Sequence, residues 1–166
     1  MFSQKWREVL IKAVALALPK YTMSLFRIPD ALCSDLESMM AHFWWTGDLE
    51  NRKIHYKSWA LLCLPKVEGG MGFMEVRGFN QALIVKQGWR IQQRSDTLVA
   101  KVLRGKYFPN SSFLNAPLGS YPSYLWRSLG WGNEVIQRDP AGRLGIGKIP
   151  EFFLMLGCQT CLLSKR

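Results

Sequence analysis

The sequence predicts a mostly α-helical protein: a small helical bundle with long loops and an irregular C-terminal tail. Apolar residues recur at steps of three and four along most of the chain, which is the spacing of one helix face. Proline and glycine interrupt these periodic segments and mark their ends. A chain of 166 residues with 48% apolar and 20% charged residues is typical of a globular protein that buries a core.

The first two helices are predicted from apolar spacing and from the residues that flank them. The first runs from about Trp6 to Ala17 and is stopped by Pro19. The second begins after Pro29, with Asp30 as its N-cap. Its apolar stripe consists of Leu32, Leu36, Met39, Met40 and Phe43.

Three further helices are predicted in the middle of the chain. A short one covers Trp59–Cys63 and is capped by Ser58. Glycines at positions 69, 70 and 72 then predict a tight turn, because glycine permits backbone angles that side chains forbid. Helices of about Phe79–Gln93 and Asp96–Tyr107 follow, the latter capped by Ser95 or Asp96.

The C-terminal third contains one loop, one helix and an aperiodic tail. Residues 108–123 are rich in Pro, Ser, Asn and Gly and predict an ordered loop or linker. The last helix covers about Tyr124–Gln137, and periodicity is lost from Asp139 onward.

The N-terminal segment has two alternative interpretations. Basic residues followed by the apolar run Ala13–Pro19 match a signal peptide or an organelle presequence. Glu8 and the apolar spacing favour a packed amphipathic helix instead. The run is much shorter than the roughly 20 residues that span a bilayer, so no membrane partner is predicted.

The net charge of +10 is concentrated in the second half of the chain. Residues 1–83 carry ten Lys/Arg against eight Asp/Glu, whereas residues 84–166 carry twelve against four. Such a basic half predicts a surface that meets a polyanion, the alternative being solvated cations that keep the chain soluble. The predicted nucleic-acid-binding residues are Lys86, Arg90, Arg94, Lys101, Arg104 and Lys106.

On one continuous helix these six cations would share a face. At about 100° per residue, the first five occupy an arc of about 80°, which suits phosphate contacts from successive turns. A break at Ser95–Asp96 would leave two shorter stripes instead. The residues predicted to face the core opposite them are Leu83, Trp89, Leu98, Val102 and Leu103.

Signals for catalysis, metals and cofactors are weak, so no cofactor is predicted and the chain is not expected to be an enzyme. The acidic residues are scattered, whereas two-metal polymerase chemistry needs clustered carboxylates. Cys158 and Cys161 have the spacing of half a zinc site, but no second half exists. Cys33 and Cys63 are predicted to be small buried hydrophobes. The segment Gly142–Lys148 matches a phosphate loop but lacks the Ser/Thr that must follow.

The stretch Phe43–Phe73 is unusually aromatic and predicts contacts outside the chain. Trp44, Trp45 and Trp59 are its candidate protein-interaction residues. His42 and His55 lie in these aromatic surroundings, and a packed or surface role is favoured over catalysis.

Ordered motifs over residues 5–138 resemble the segment after the catalytic palm in plant LINE-type (non-LTR) retrotransposon reverse transcriptases. The motifs are Arg7-Glu-Val-Leu-Ile-Lys-Ala-Val-Ala15, Pro19-Lys-Tyr-Thr-Met-Ser24, Phe43-Trp-Trp45, Lys53-Ile-His-Tyr-Lys-Ser-Trp59, Gly69-Gly-Met-Gly-Phe73, Phe79-Asn-Gln-Ala-Leu83, Lys86-Gln-Gly-Trp-Arg90, Lys106-Tyr-Phe-Pro-Asn110 and Ser123-Tyr-Leu-Trp-Arg-Ser128. Near the end the chain departs from the family, whose Trp and Asp are absent around Gly142–Lys148. We hypothesise that a frameshift or rearrangement produced the sequence of Ile149–Arg166. A nucleotide sequence that continues in frame into intact family sequence would refute this.

The resemblance implies a thumb-like helical segment at 1–64, connector helices with a basic face at 65–138, and a divergent, disordered tail at 139–166. The palm carboxylates and any ribonuclease H domain would lie elsewhere, so the fragment would be catalytically incomplete. Its implied partner is the RNA or DNA backbone of a template–primer. A protein-interaction module, or a relic open reading frame without selected function, stays open as an alternative. The implied compartment is mitochondrial for an organelle-encoded copy, and otherwise nuclear or cytoplasmic.

Overall fold

The structure, a computed structural model, describes residues 3–15, 20–47 and 54–138. Within these residues the chain forms seven α-helices and no strand, which confirms the prediction of a small, mostly helical bundle. The predicted tail lies outside the described residues. The helices are α1 (Gln4–Leu10, continued by a π-helical turn Ile11–Ala15), α2 (Lys20–Leu25), α3 (Asp30–Thr46), α4 (Trp59–Cys63), α5 (Val76–Gln93), α6 (Leu98–Tyr107) and α7 (Tyr124–Arg138).

The predicted helices are present. The differences concern the residues at which some of them begin and one short helix, α2, that was not predicted. α4 has the predicted bounds, and α5 begins three residues earlier than predicted. α2 was not predicted, because its six residues are too few for an apolar repeat to emerge. Asp30 is the first helical residue of α3 rather than its N-cap, which is Pro29. The Asp30 carboxylate pairs instead with Arg27 at 3.5 Å and Arg77 at 3.4 Å.

Two hydrophobic clusters hold the helices together. The first core contains buried residues from Ile11 to Leu83, contributed by the segments up to and including the first half of α5. The second core contains buried residues from Ile84 to Leu129, contributed by the second half of α5, by α6 and by α7. The predicted boundary between residues 64 and 65 falls within the first core, and the division into two segments stays a prediction.

An inward-facing arginine determines how α1 packs. Arg7 is buried, and its Nη1 donates to the carbonyl of Trp44 at 3.0 Å and to that of Trp45 at 3.5 Å. A guanidinium is well suited to the last carbonyls of α3, which have no partner within the helix. Because Arg7 occupies the inner face, Trp6 and Val9 are exposed. Two of the large apolar residues of α1 therefore face solvent.

The buried face of α3 also differs from the predicted stripe. Leu32 and Met39 are exposed, whereas Cys33, Met40 and Trp44 are buried in the first core. Met40 was in the predicted stripe, and Leu36 and Phe43 of that stripe also pack against this core. The predicted face is therefore wrong only at Leu32 and Met39. Apolar periodicity predicted the helix correctly, but α3 has apolar residues on both sides of its true buried face.

A buried asparagine fastens the connection between α2 and α3 to α5. Asn80 is fully buried, and its Nδ2 donates to the carbonyls of Met23 at 2.7 Å and Phe26 at 2.9 Å. Its Oδ1 accepts from the backbone N–H of Ile28 at 2.9 Å. One side chain thus satisfies three backbone groups in the last turn of α2 and in the connection that follows it.

The glycine turn after α4 is confirmed. Gly69 and Gly72 have positive φ angles of 80° and 64°. A Cβ at Gly70 would lie 2.0 Å from the carbonyl oxygen of Leu64, so the backbone approaches too closely for any side chain. The turn brings Phe73 back onto α4, where its N–H donates to the carbonyl of Leu62 at 3.2 Å.

The second core is built from stacked rings and a close helix contact. The Trp126 ring stacks on Tyr107 with 4.5 Å between centroids and on Phe108 with 5.6 Å. α7 packs along α5, and a Cβ at Gly132 would lie 2.8 Å from Cγ2 of Ile84. The two helix backbones therefore approach each other closely at this glycine.

Candidate nucleic-acid interface

The six predicted cationic residues lie on two helices joined by a turn, not on one helix. Lys86 and Arg90 are on α5, and Arg94 is its C-cap, whose N–H donates to the carbonyl of Arg90 at 2.9 Å. The other three, Lys101, Arg104 and Lys106, are on α6. The continuous arc is therefore absent, and two shorter basic stripes replace it.

Thr97 forms the turn between these helices. Its hydroxyl donates to the carbonyl of Arg94 at 3.1 Å and accepts from the N–H of Ala100 at 3.4 Å. It is therefore both the link to the end of α5 and the N-cap of α6. Neither Ser95 nor Asp96 caps α6, so the predicted cap was wrong by one or two residues.

The break changes which residues of α6 face the core. Leu98 and Val102, predicted to be buried, are 78% and 60% exposed, and Trp89 on α5 is 43% exposed. Leu83 and Leu103 are buried as predicted. The prediction failed at Leu98 and Val102 because it extended the register of α5 through a turn that reorients the following helix. Trp89 lies on α5 before this turn, so the turn does not account for its exposure.

Most of the predicted cations are on the surface without a carboxylate partner. Among the described residues, Arg90, Arg94, Lys101, Arg104 and Lys106 are exposed and form no ion pair. Lys86 is half-buried. Residues 84–138 contain eight Lys/Arg and two acidic residues, a net charge of +6. We call the six residues together the basic surface.

A tyrosine at the end of α6 links the basic surface to the loop that follows. The oxygen of Tyr107 accepts from the N–H of Ser123 at 3.2 Å. Hydrogen bonding by Ser123 lowers the pKa of Tyr107 below its ordinary value, and Lys106 adds to the effect. The Lys106 ammonium also lies 5.2 Å from the centre of the Tyr107 ring.

A groove of about 190 Å³ lies between the end of α5, α6 and the loop after α6. Its apolar lining is formed by Ile91, Ala100, Phe108 and Phe113. Its polar lining is formed by Gln92, Ser95, Arg104, Ser111 and Ser112, with no acidic residue among them. Sequence reasoning identified Arg104 alone from this set. For Ser111 and Ser112 the sequence predicted only a loop, and that prediction does not indicate which helix they face.

The predicted interaction tryptophans lie largely inside the first core. Trp44 and Trp59 are buried, and each ring contacts Phe73 with 5.1 Å between centroids. Trp45 is half-buried and contacts Tyr56, an exposed ring, at 5.4 Å. The aromatic stretch therefore packs this chain's own helices, and Tyr56 is the most exposed of these five rings.

The described residues offer little to catalysis or metal binding. Burial raises the pKa of Cys63 to about 12 and also raises that of Cys33, so neither thiol ionises readily at neutral pH. No three His, Cys, Asp or Glu side chains converge within the described ranges. Cys158, Cys161 and the segment Gly142–Lys148 lie outside these ranges. None of the described helices has both the length and the apolar character of a membrane span.

Comparison with known proteins gives two relatives from Arabidopsis thaliana. The chain is 43% identical to the uncharacterized mitochondrial protein AtMg00310 over 133 residues, which is 80% of this chain and 86% of that protein. The chain belongs to the same family as this mitochondrial protein. The alignment therefore spans most of both proteins.

The other relative is a much longer protein. The chain is 36% identical over 148 residues to a protein named "Putative ribonuclease H protein At1g65750". The alignment covers 87% of this chain and 23% of that protein. This chain therefore spans less than a quarter of the longer relative, which contains a segment similar to it. No protein-family model and no solved structure matches the chain.

Proposed function

We propose that the chain is a catalytically incomplete fragment of a retrotransposon reverse transcriptase of the LINE type, in which the basic surface binds the nucleic-acid backbone. The fragment would correspond to the thumb and connector. The name of the longer relative agrees with a ribonuclease H domain accompanying this segment, and the name of the shorter one with a mitochondrial copy.

The observation that carries the proposal is that exposed cations between residues 90 and 106 form no ion pair with any acidic residue that the structure describes. Of these residues, Asp96 is the only acidic one, and it lies in the turn between the two helices. Phosphate groups would supply the counter-charges, and the two helices would contact the backbone from adjacent directions.

Binding of a labelled RNA–DNA hybrid, measured by fluorescence anisotropy at two salt concentrations, tests the proposal. The double variant Arg90→Glu/Arg94→Glu should bind at least tenfold more weakly, with a salt slope shallower by about two units. The control is Lys5→Glu/Lys20→Glu, which changes the net charge equally in the first half of the chain. Circular dichroism establishes that both variants are folded.

Two results would reject the proposal: the first would remove nucleic-acid binding, and the second would remove its assignment to the basic surface. One is the absence of binding by the folded wild-type chain at low salt. The other is an equal loss of affinity in the two double variants, since that would reflect net charge rather than a surface.

A protein-interaction role is the second candidate, and one observation favours it. Leu98, Val99 and Val102 form an exposed aliphatic face on α6. The role would then belong to α6 rather than to the buried tryptophans. The variant Leu98→Ser/Val102→Ser should abolish binding to a protein partner while the affinity for the hybrid is unchanged.

A further inference from the structure

We propose that the groove beside Arg104 receives a single unpaired nucleotide of a single-stranded RNA or DNA. This inference rests on the proposed nucleic-acid binding and specifies a ligand for one part of the basic surface. A duplex contacts such a surface through its phosphates alone, whereas an unpaired base can leave the strand and enter a cavity.

The apolar part of the groove suits the ring of a base. Ile91 on α5, Ala100 on α6 and two phenylalanines, Phe108 and Phe113, form this part. Both phenylalanines are buried and packed on Trp126, with 5.6 and 5.9 Å between ring centroids, so the floor is formed by side chains that the second core already holds in place. A preformed apolar floor reduces the ordering that binding requires.

The polar part of the groove distinguishes a nucleotide from a simple anion. Arg104 supplies one positive charge, which suits one phosphate. Gln92 and the hydroxyls of Ser95, Ser111 and Ser112 offer both donors and acceptors. The edge of a base presents donors and acceptors too, whereas a backbone phosphodiester presents only acceptors.

The position of the groove relative to the other cations supports a continuous strand. Arg94 immediately precedes the lining residue Ser95, and Lys101 immediately follows the lining residue Ala100. A strand that places one base in the groove would therefore have cations available for its neighbouring phosphates. No acidic side chain lines the groove to oppose this path.

Two matched pairs of variants test the groove against the rest of the surface. Ser111→Leu fills the groove without changing charge, and Asn110→Leu places the same side chain at the adjacent exposed residue outside the lining. Arg104→Gln removes the lining charge, and Lys101→Gln removes an exposed charge from the same helix outside the lining. Each protein is titrated by fluorescence anisotropy with a labelled single-stranded oligonucleotide and with the same strand annealed to its complement.

We expect Ser111→Leu to weaken single-strand binding at least about fivefold while duplex binding changes less than twofold. Asn110→Leu should leave both affinities within twofold. Arg104→Gln should weaken single-strand binding more than Lys101→Gln, and the two should weaken duplex binding equally.

The outcomes separate the groove from the wider surface. If both probes bind with steep salt dependence but Ser111→Leu behaves like Asn110→Leu, the groove assignment is wrong and backbone binding stands. If Ser111→Leu weakens both probes equally, the groove does not select an unpaired base and the assignment is again wrong. If the folded wild-type chain binds neither probe at low salt, both proposals fall together.

Discussion

The two cores use their cationic residues in different ways. In the first, Arg7 is buried on the end of α3, and its neighbour Glu8 pairs with Lys12 at 2.8 Å and Lys66 at 2.9 Å. Asp30 likewise pairs with two arginines. These charges have partners within the chain. The contacts of Arg7 with α3, of Glu8 with Lys66 and of Asp30 with Arg77 join segments distant in sequence, so they serve the structure itself.

Around the second core the cations face solvent. Arg90, Arg94, Lys101, Arg104 and Lys106 are exposed and form no ion pair with the described acidic residues. Surface cations contribute little to stability, and a cluster of like charges opposes folding slightly. Net charge alone therefore does not identify a binding surface. The informative property is whether each cation already has a partner.

The largest expected effect concerns the buried amides of the two cores. Asn80→Ala would leave three backbone groups of the first core without partners, so the free energy of unfolding should fall by about 3–5 kcal/mol. Asn133→Ala in the second core should cost about 1–2 kcal/mol, because Asn133 donates to two carbonyls while its Oδ1 has no partner. Urea denaturation of both variants measures the difference, and equal losses would contradict it.

The next effect concerns the buried cation of the first core. Arg7→Met keeps the volume of the side chain but removes the donor to the last carbonyls of α3, so we expect a loss of about 2–3 kcal/mol. Lys5→Met, on an exposed position of the same helix, is the control and should change the free energy of unfolding by less than about 0.5 kcal/mol. Similar values for the two variants would remove the structural role given to Arg7.

Substitutions at two glycines test the packing around the second core. Gly132→Ala would place a methyl group 2.8 Å from Cγ2 of Ile84, which should destabilise the protein by about 1–2 kcal/mol. Gly105→Ala on α6 meets nothing within 4 Å and should stabilise it by about 0.5–1 kcal/mol through helix propensity. Thermal melting of the two variants should therefore show shifts of opposite sign. Two shifts of the same sign would contradict the claim that Gly132 is closely packed and Gly105 is not.

The smallest effect is the pH dependence carried by Glu8. Hydrogen bonds from Lys12 and Lys66 lower the pKa of Glu8 below its ordinary value of 4.5. A carboxyl with a lowered pKa in the folded state stabilises the fold above its unfolded-state pKa, and this stabilisation is lost as the pH falls through the folded-state pKa. Unfolding measured by denaturant at several pH values should therefore depend less steeply on acid in Glu8→Gln than in the wild-type chain. Glu68→Gln, at a nearby exposed carboxylate, is the control.

The sequence predicted helices well and their buried faces less well. Apolar spacing and flanking prolines located α3, α4 and α7 to within a few residues, because these are local signals. The inward rotation of Arg7 could not be predicted, since it depends on the end of α3, which lies 37 residues away along the chain. Charged residues are normally assigned to the solvent face, and only the tertiary contact reverses that assignment.

The basic surface was predicted by residue identity but not by geometry. The spacing of the positively charged residues on α5 and α6 was visible in the sequence. The sequence did not show that Thr97, rather than Ser95 or Asp96, is the N-cap of α6. Because α6 begins after Thr97, Leu98 and Val102 face solvent rather than the core. The groove was missed for another reason: its lining comes from two helices and a loop, and sequence spacing does not show which loop residues face a helix.

α5 begins in one core and ends in the other, with Leu83 in the first and its neighbour Ile84 in the second. Neither core can release this helix without disturbing the other, so we expect unfolding to be a single cooperative transition. Thermodynamic linkage then extends across the molecule. An oligonucleotide held at the basic surface would slow amide hydrogen exchange as far away as the Asn80 hydrogen bonds, on a part of the chain that it never touches.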